Sequence, residues 1–209
     1  MTVFTEPVHA GEHLVSEANG NRSRSVKTIT GGDFTAATVL GESKFSSATA
    51  TANDGNTGDG TVSAVTLGSD AKVGSYLVNF TAATEFNVVD PDGFQLTKGT
   101  VGEAYSDDLE FTITAGATAF VAGDGFAIEV AEGTGKCTQL ALAASDGTQV
   151  ASAVLFAGAL ADAADVEATV HDRDCEVNAH VLVWPDGITD EQKATAIDQL
   201  ADSGVIVRE

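Results

Sequence analysis

Positive charge is scarce in this chain. Ten Lys and Arg stand against 31 Asp and Glu, for a net charge of −21. Phosphate backbones and anionic membrane surfaces repel such a chain, so neither nucleic acid nor a membrane is expected as a partner. The same excess favours solubility at high concentration. Cysteine is nearly absent. Cys137 and Cys175 are too few for a disulfide scaffold, and without a CxxC pair they lack the spacing of structural zinc. Both are expected as reduced, partly buried thiols, with no metal and no disulfide needed for folding. No apolar run reaches the roughly 18 residues of a membrane-spanning helix. The opening MTVFTEPVHAGEHLV lacks a basic stretch followed by an apolar one, so no secretory signal is read there.

Catalytic motifs are missing as well. There is no Walker loop and no GxGxxG after a strand. His9, His13, His171 and His180 are available as bases, but no nucleophile elbow or cysteine-protease motif accompanies them. His171-Asp172-Arg173-Asp174-Cys175 gathers metal-ligand types, yet it reads as a charged turn between strands. Asn53-Asp54-Gly55-Asn56 and Asp59-Gly60 are fragments of a calcium loop without the rest of the pattern, and read as linker. The expectation is not an enzyme, with no cofactor. A binding or structural module fits a β-rich, acidic, motif-free chain; a metal-dependent hydrolase using His171 and Asp172 is a remote third reading.

What is present is β patterning and one strong helix. Apolar residues make up 43% of the chain, enough for a real core. The organising stretch is 181–208, VLVWPDGITDEQKATAIDQLADSGVIVR, with the single Trp184. Pro185-Asp186-Gly187 predicts a turn. Thr189 then caps a helix, with Gln192 completing a capping box and Asp190 and Glu191 in the first turn. Ala194, Ile197, Leu200 and Ala201 are the expected buried face, Gly204 the left-handed exit, and 205–207 a closing strand. Residues 1–15, without period and carrying Pro7 and Gly11, read as an extended arm, either disordered or laid along a partner. Residues 13–21 read as a short strand ending at an Asn19-Gly20 turn. Arg22, Arg24 and Lys27 form a local positive spot within a strand-like run at 22–30, which another strand at 34–41 follows. The small, polar, Gly-rich 46–60 reads as linker. From 61 to 136, alternating runs separated by Gly- and Pro-containing turns indicate a β-sandwich or small barrel, with Gly123-Asp124-Gly125 as a hairpin turn. Residues 149–160 are either strand or short helix. The predicted organisation is mainly β with a small α/β part: an arm (1–15), a discontinuous domain (16–60 plus 137–209), and an inserted β domain (61–136).

Two stretches carry a resemblance. The first is His9-Ala10-Gly11-Glu12-His13-Leu14-Val15-Ser16-Glu17-Ala18-Asn19-Gly20, continuing through Arg22-Ser23-Arg24 to Thr38-Val39-Leu40-Gly41. The second is Arg173-Asp174-Cys175-Glu176-Val177-Asn178, then Leu182-Val183-Trp184-Pro185, then the helix and Gly204-Val205-Ile206-Val207-Arg208. Together they resemble the lambda protein-D-like head decoration proteins of tailed phages. The resemblance implies a small α/β protein forming homotrimers at three-fold sites outside the expanded capsid, made in the host cytoplasm, with the major capsid protein as partner. It implies an arm that adds a strand to that protein, here Thr5, Glu6, Pro7, Val8, His9, Glu12, His13, Leu14 and Val15. Trp184, Pro185, Gly187, Thr189 and Gly204 are expected to be structural. The insert is extra to the compact family form, and a host-surface ligand for it stays open. The rival reading is a β-sandwich adhesin or receptor-binding module on a virion or cell surface.

Overall fold

The computed structural model describes residues 6–209. In chain order the first elements are β1 (Leu14–Glu17), the one-turn helix α1 (Gly20–Ser23), β2 (Arg24–Ile29), β3 (Gly32–Phe34) and β4 (Val39–Glu42). There follow β5 (Phe45–Ala52), β6 (Thr61–Val62), β7 (Thr66–Leu67), β8 (Gly74–Phe80), β9 (Glu85–Val89), β10 (Gln95–Thr100), β11 (Ala104–Ser106), β12 (Leu109–Thr114) and β13 (Gly125–Glu132). The chain ends with β14 (Cys137–Gln139), β15 (Ala151–Leu155), β16 (Ala159–Ala161), β17 (Val166–His171), β18 (Cys175–Asn178), α2 (Asp190–Asp202) and β19 (Val205–Arg208). The fold is mainly β, with 45% of residues in strands and 8% in helices, so strand pairing carries most of the backbone hydrogen bonding. Two compact units result: residues up to Ser43 with Gly135–Glu209, and Lys44–Thr134.

In the first unit β14, β2, β17, β15 and β4 close into a barrel, so these strands present no free edge. Ile29, Leu40, Leu155 and Val170 are fully buried there with Cys137. A three-stranded sheet, ordered β1-β18-β19, belongs to the same unit. β18 and β19 run parallel, which requires a crossover, and α2 supplies it. The capping box forms as expected: the Gln192 amide donates to Thr189 Oγ1 and the Thr189 amide to Gln192 Oε1. Gly204 leaves the helix at φ 89°. The buried face differs from the expected one. Ala196 and Leu200 are buried and Ile197 half-buried, while Ala194 and Ala201 face solvent. The chosen alanines lie one step off the stripe that meets Val177 and Val205. The stretch 149–160, open between helix and strand, forms β15 and the start of β16.

The second unit packs two sheets around one core. The five-stranded sheet runs β10-β9-β8-β13-β5; the other runs β11-β12-β6, with β7 also on β12. Tyr76, Val78, Phe86 and Ile128 from one sheet meet Leu109, Phe111 and Ile113 from the other. Burying each such side chain contributes about 1.5–3 kcal/mol. Gly99 is required here, because a Cβ would overlap the Phe86 ring.

Three local expectations change. The first part of the stretch read as linker, 46–52, is strand, while 53–60 is loop as expected: β5 pairs with β13 from Ala52↔Phe126 to Ser47↔Ala131. Its Ala, Ser and Thr carry little hydrophobic signal, and its conformation is set by the partner strand rather than by its own sequence. The unit boundaries accordingly fall at 43/44 and 134/135 instead of 60/61 and 136/137. The Asn19-Gly20 turn that ends the first strand also opens α1, where the Asn19 side chain accepts from the Asn21 amide at 3.2 Å. The Gly123-Asp124-Gly125 turn precedes β13 but does not join paired strands, because β12 and β13 lie in different sheets. Asp124 is instead a latch: its carboxylate accepts from the backbone amides of Thr57, Gly58 and Val121 at 2.9, 2.9 and 3.0 Å.

Candidate functional site

The site expected from sequence is the N-terminal segment. Thr5 lies outside the described residues. Glu6, Pro7, His9 and Glu12 are exposed. Val8 is half-buried and packs against the core that includes Leu200 and Val205. The segment then turns inward. Gly11, at φ 74°, donates its amide to the Phe156 carbonyl at 2.9 Å. Leu14 begins β1, paired antiparallel to Val177. Val15 points outward, 55% exposed. Of the described residues, only Glu6 to His9 precede the folded turn, with Val8 already packed on the core, and residues 10–15 belong to the folded unit.

His13 is the anchor of that turn. It is fully buried, as is His171 at the end of β17. His13 Nε2 lies 3.0 Å from His171 Nδ1, and His171 Nε2 lies 3.1 Å from Glu17 Oε2. A carboxylate only accepts, so His171 donates from Nε2 and receives the His13 Nε2 proton on Nδ1. That tautomer leaves His13 Nδ1 as a buried acceptor without a partner in the structure. Glu17 also accepts from Ser23 Oγ at 2.7 Å and from both Nε and Nη2 of Arg24. The Arg24 guanidinium lies over the Phe156 ring, 4.3 Å from its centroid. The Arg24 hydrogen bonds hold the Glu17 carboxyl down at about 2, against the opposing effect of burial. Burial pushes His13 down to about 4, with the neighbouring His171 and Arg24 adding to it. His171 is lowered too, by burial, against the pull of Glu17.

This network fastens the N-terminal segment to β17: Ser23 Oγ donates its proton to Glu17, which also accepts from His171. The two histidines are 158 residues apart in sequence, and no local pattern joins them. The positive spot is neutralised: Arg22 pairs with Asp174 at 3.2 Å, Arg24 with Glu17, and Lys27 with Glu42 at 2.9 Å. Within the His171–Cys175 turn, Asp174 sits at φ 47°, and Cys175 is a buried free thiol pushed up to about 11 by its burial. Cys137 is likewise free and buried. Among the described residues no group of three or more His, Cys, Asp or Glu is placed to hold a metal. Trp184 and Pro185 are half-buried, Trp184 against the α2 core. Gly187 turns the chain at φ 76°.

The family model of bacteriophage lambda head decoration protein D matches residues 3–205. The chain belongs to this family. Head decoration proteins are structural proteins associated with the phage capsid, and that is the class of function this chain has. Two crystal structures of FlgL from Xanthomonas campestris are similar at 28% identity, covering 48% and 45% of this chain with TM-scores of 0.35 and 0.34. The flagellar hook junction protein FlgK from Burkholderia pseudomallei is similar at 18% identity over 56% of this chain, with a TM-score of 0.35. The chain spans 34%, 31% and 21% of the length of these flagellar proteins. No curated protein matches the chain.

Proposed function

We propose that this decoration protein binds the outer surface of the expanded capsid as homotrimers at three-fold sites and stabilises the shell. The family match over residues 3–205 carries the reading. Selective binding to the expanded form stabilises that form by mass action, and many copies bridging neighbouring capsomers make a modest contact collectively large. The capsid-binding arm comprises the residues up to His9, which pair with the major capsid protein. His13 and Leu14 fix the arm's root, because they are built into the first unit. The second unit faces away from the shell and is the part available to a host-surface ligand.

The test is co-sedimentation with expanded and unexpanded cognate capsids. Full-length protein is expected to pellet with expanded capsids only. Deleting residues 2–8 is expected to leave a folded protein that no longer pellets, and full occupancy by that deletion would refute the arm. With −21 per chain, trimerisation in solution is expected to strengthen as salt screens the repulsion. A monomer at every salt concentration, with isolated single copies in capsid images, would refute the trimer.

A further inference from the structure

β5 (Phe45–Ala52) ends the five-stranded sheet, so among the described residues only one of its backbone edges has a strand beside it. Proteins guard such edges with Lys, Pro or inward charges. β10, at the opposite end of the sheet, carries Lys98. The sequence of β5, FSSATATA, holds no charge and no proline, in a chain with 31 acidic residues. Its one irregularity is a bulge at the Phe45 end, and residues 47–52 pair in unbroken register with β13. Ser47, Thr49 and Thr51 are exposed, while Ala48 and Ala50 are half-buried against the core.

We propose that the free edge of β5 pairs antiparallel, about a two-fold axis, with β5 of a second copy of this chain. The sequence is self-complementary in that arrangement. Alternation is preserved across the axis, so the Ser and Thr row continues on one face and the Ala row on the other. No side chain larger than Thr stands between residues 46 and 52 to obstruct the approach. Charge selects the place: two copies of net charge −21 repel over most of their surface, and an uncharged strand is where they can meet. One strand pairing buries well below the roughly 1,200 Å² of a stable interface. The contact is therefore weak in dilute solution and forms where copies are crowded. It is distinct from the three-fold assembly proposed above, and a readout local to β5 separates the two.

The experiment is hydrogen exchange of the full chain at high salt, from about 10 μM to about 1 mM, comparing residues 45–52 with 95–100. Exchange over 45–52 is expected to slow severalfold at the higher concentration, and 95–100 to stay unchanged. Thr49→Lys with Thr51→Lys is expected to abolish the slowing. These substitutions lower the net negative charge, so weaker association cannot come from general repulsion. Both side chains face solvent, and an unchanged thermal midpoint confirms the fold. Gln95→Lys with Thr100→Lys on β10 is expected to leave the slowing intact. Exchange over 45–52 independent of concentration would overturn the proposal, as would equal slowing in the β5 lysine variant. Protection of 45–52 by capsids alone, without concentration dependence, would assign the edge to another partner and also overturn it.

Discussion

His13 shows how a single side chain ties the N-terminal segment to the fold, and its protonation gives a pH signature. Folded, it titrates at about 4 because it is buried, with His171 and Arg24 beside it; unfolded, it titrates near 6.5. Between those values the unfolded chain binds a proton that the folded chain excludes, so stability falls as pH drops from about 6.5 to about 4. The slope is at most about 1.4 kcal/mol per pH unit for this one group. His171, also lowered, acts in the same direction. Glu17, held at about 2, adds its own loss only below its ordinary value of 4.5. His13→Gln keeps an amide donor toward His171 and removes the titration. Thermal melts from pH 7 to pH 4.5 are expected to show a shallower slope for His13→Gln than for the parent. Parallel slopes would mean that His13 does not titrate as described. Residue-scale burial on α2 gives a second comparison. Leu200→Ala is expected to cost about 2–5 kcal/mol, whereas Ala201→Lys, at a position read from sequence as core but exposed in the structure, is expected to stay within about 0.5 kcal/mol. Denaturant melts on the two variants decide it.

Elements with signals in their own residues were legible in the sequence, α2 by its caps and the strands of 61–136 by alternation, whereas β5, made only by pairing, was not. α2 announces itself by Thr189, Gln192 and Gly204, each acting within a few residues of its own backbone. Thr189→Ala is accordingly expected to cost about 1 kcal/mol in chemical unfolding, with Asp190 and Glu191 left in place to favour the positive end of the helix. β5 has no such signal. Ser, Thr and Ala in alternation read as linker until β13 supplies seven paired positions. The Asp124 latch was invisible for the same reason, since its acceptor role depends on Thr57 and Gly58 arriving from far along the chain. The His13–His171–Glu17 chain joins β1 to β17 across 154 residues or more. The end motifs that gave the family were local in sequence, so the class of function was readable while the fastening of the arm was not.

At the scale of the whole molecule, the question is whether the second unit is an addition that the first can lose. The chain leaves and re-enters the first unit at one point. Ser43 donates its amide to the Lys136 carbonyl at 2.9 Å, and the Gly135 amide donates to the Ser43 carbonyl at 2.9 Å. Just behind them β4 and β14 pair antiparallel, Glu42 opposite Cys137. The excursion is thus carried on the tip of a hairpin, and a short Gly-Ser turn can replace it without stretching the barrel. The cut belongs at 44 and 134. Removing 61–136 would strand β5 without β13, exposing an uncharged strand on both edges, and would delete the residues that close the hairpin. Replacing 44–134 is expected to give a folded protein with cooperative thermal unfolding that still pellets with expanded capsids. Replacing 61–136 is expected to give an aggregating one. If the 44–134 replacement does not fold, the second unit is part of the first unit's stability. If it folds but does not pellet, the second unit contributes to the capsid contact and does not face away from the shell.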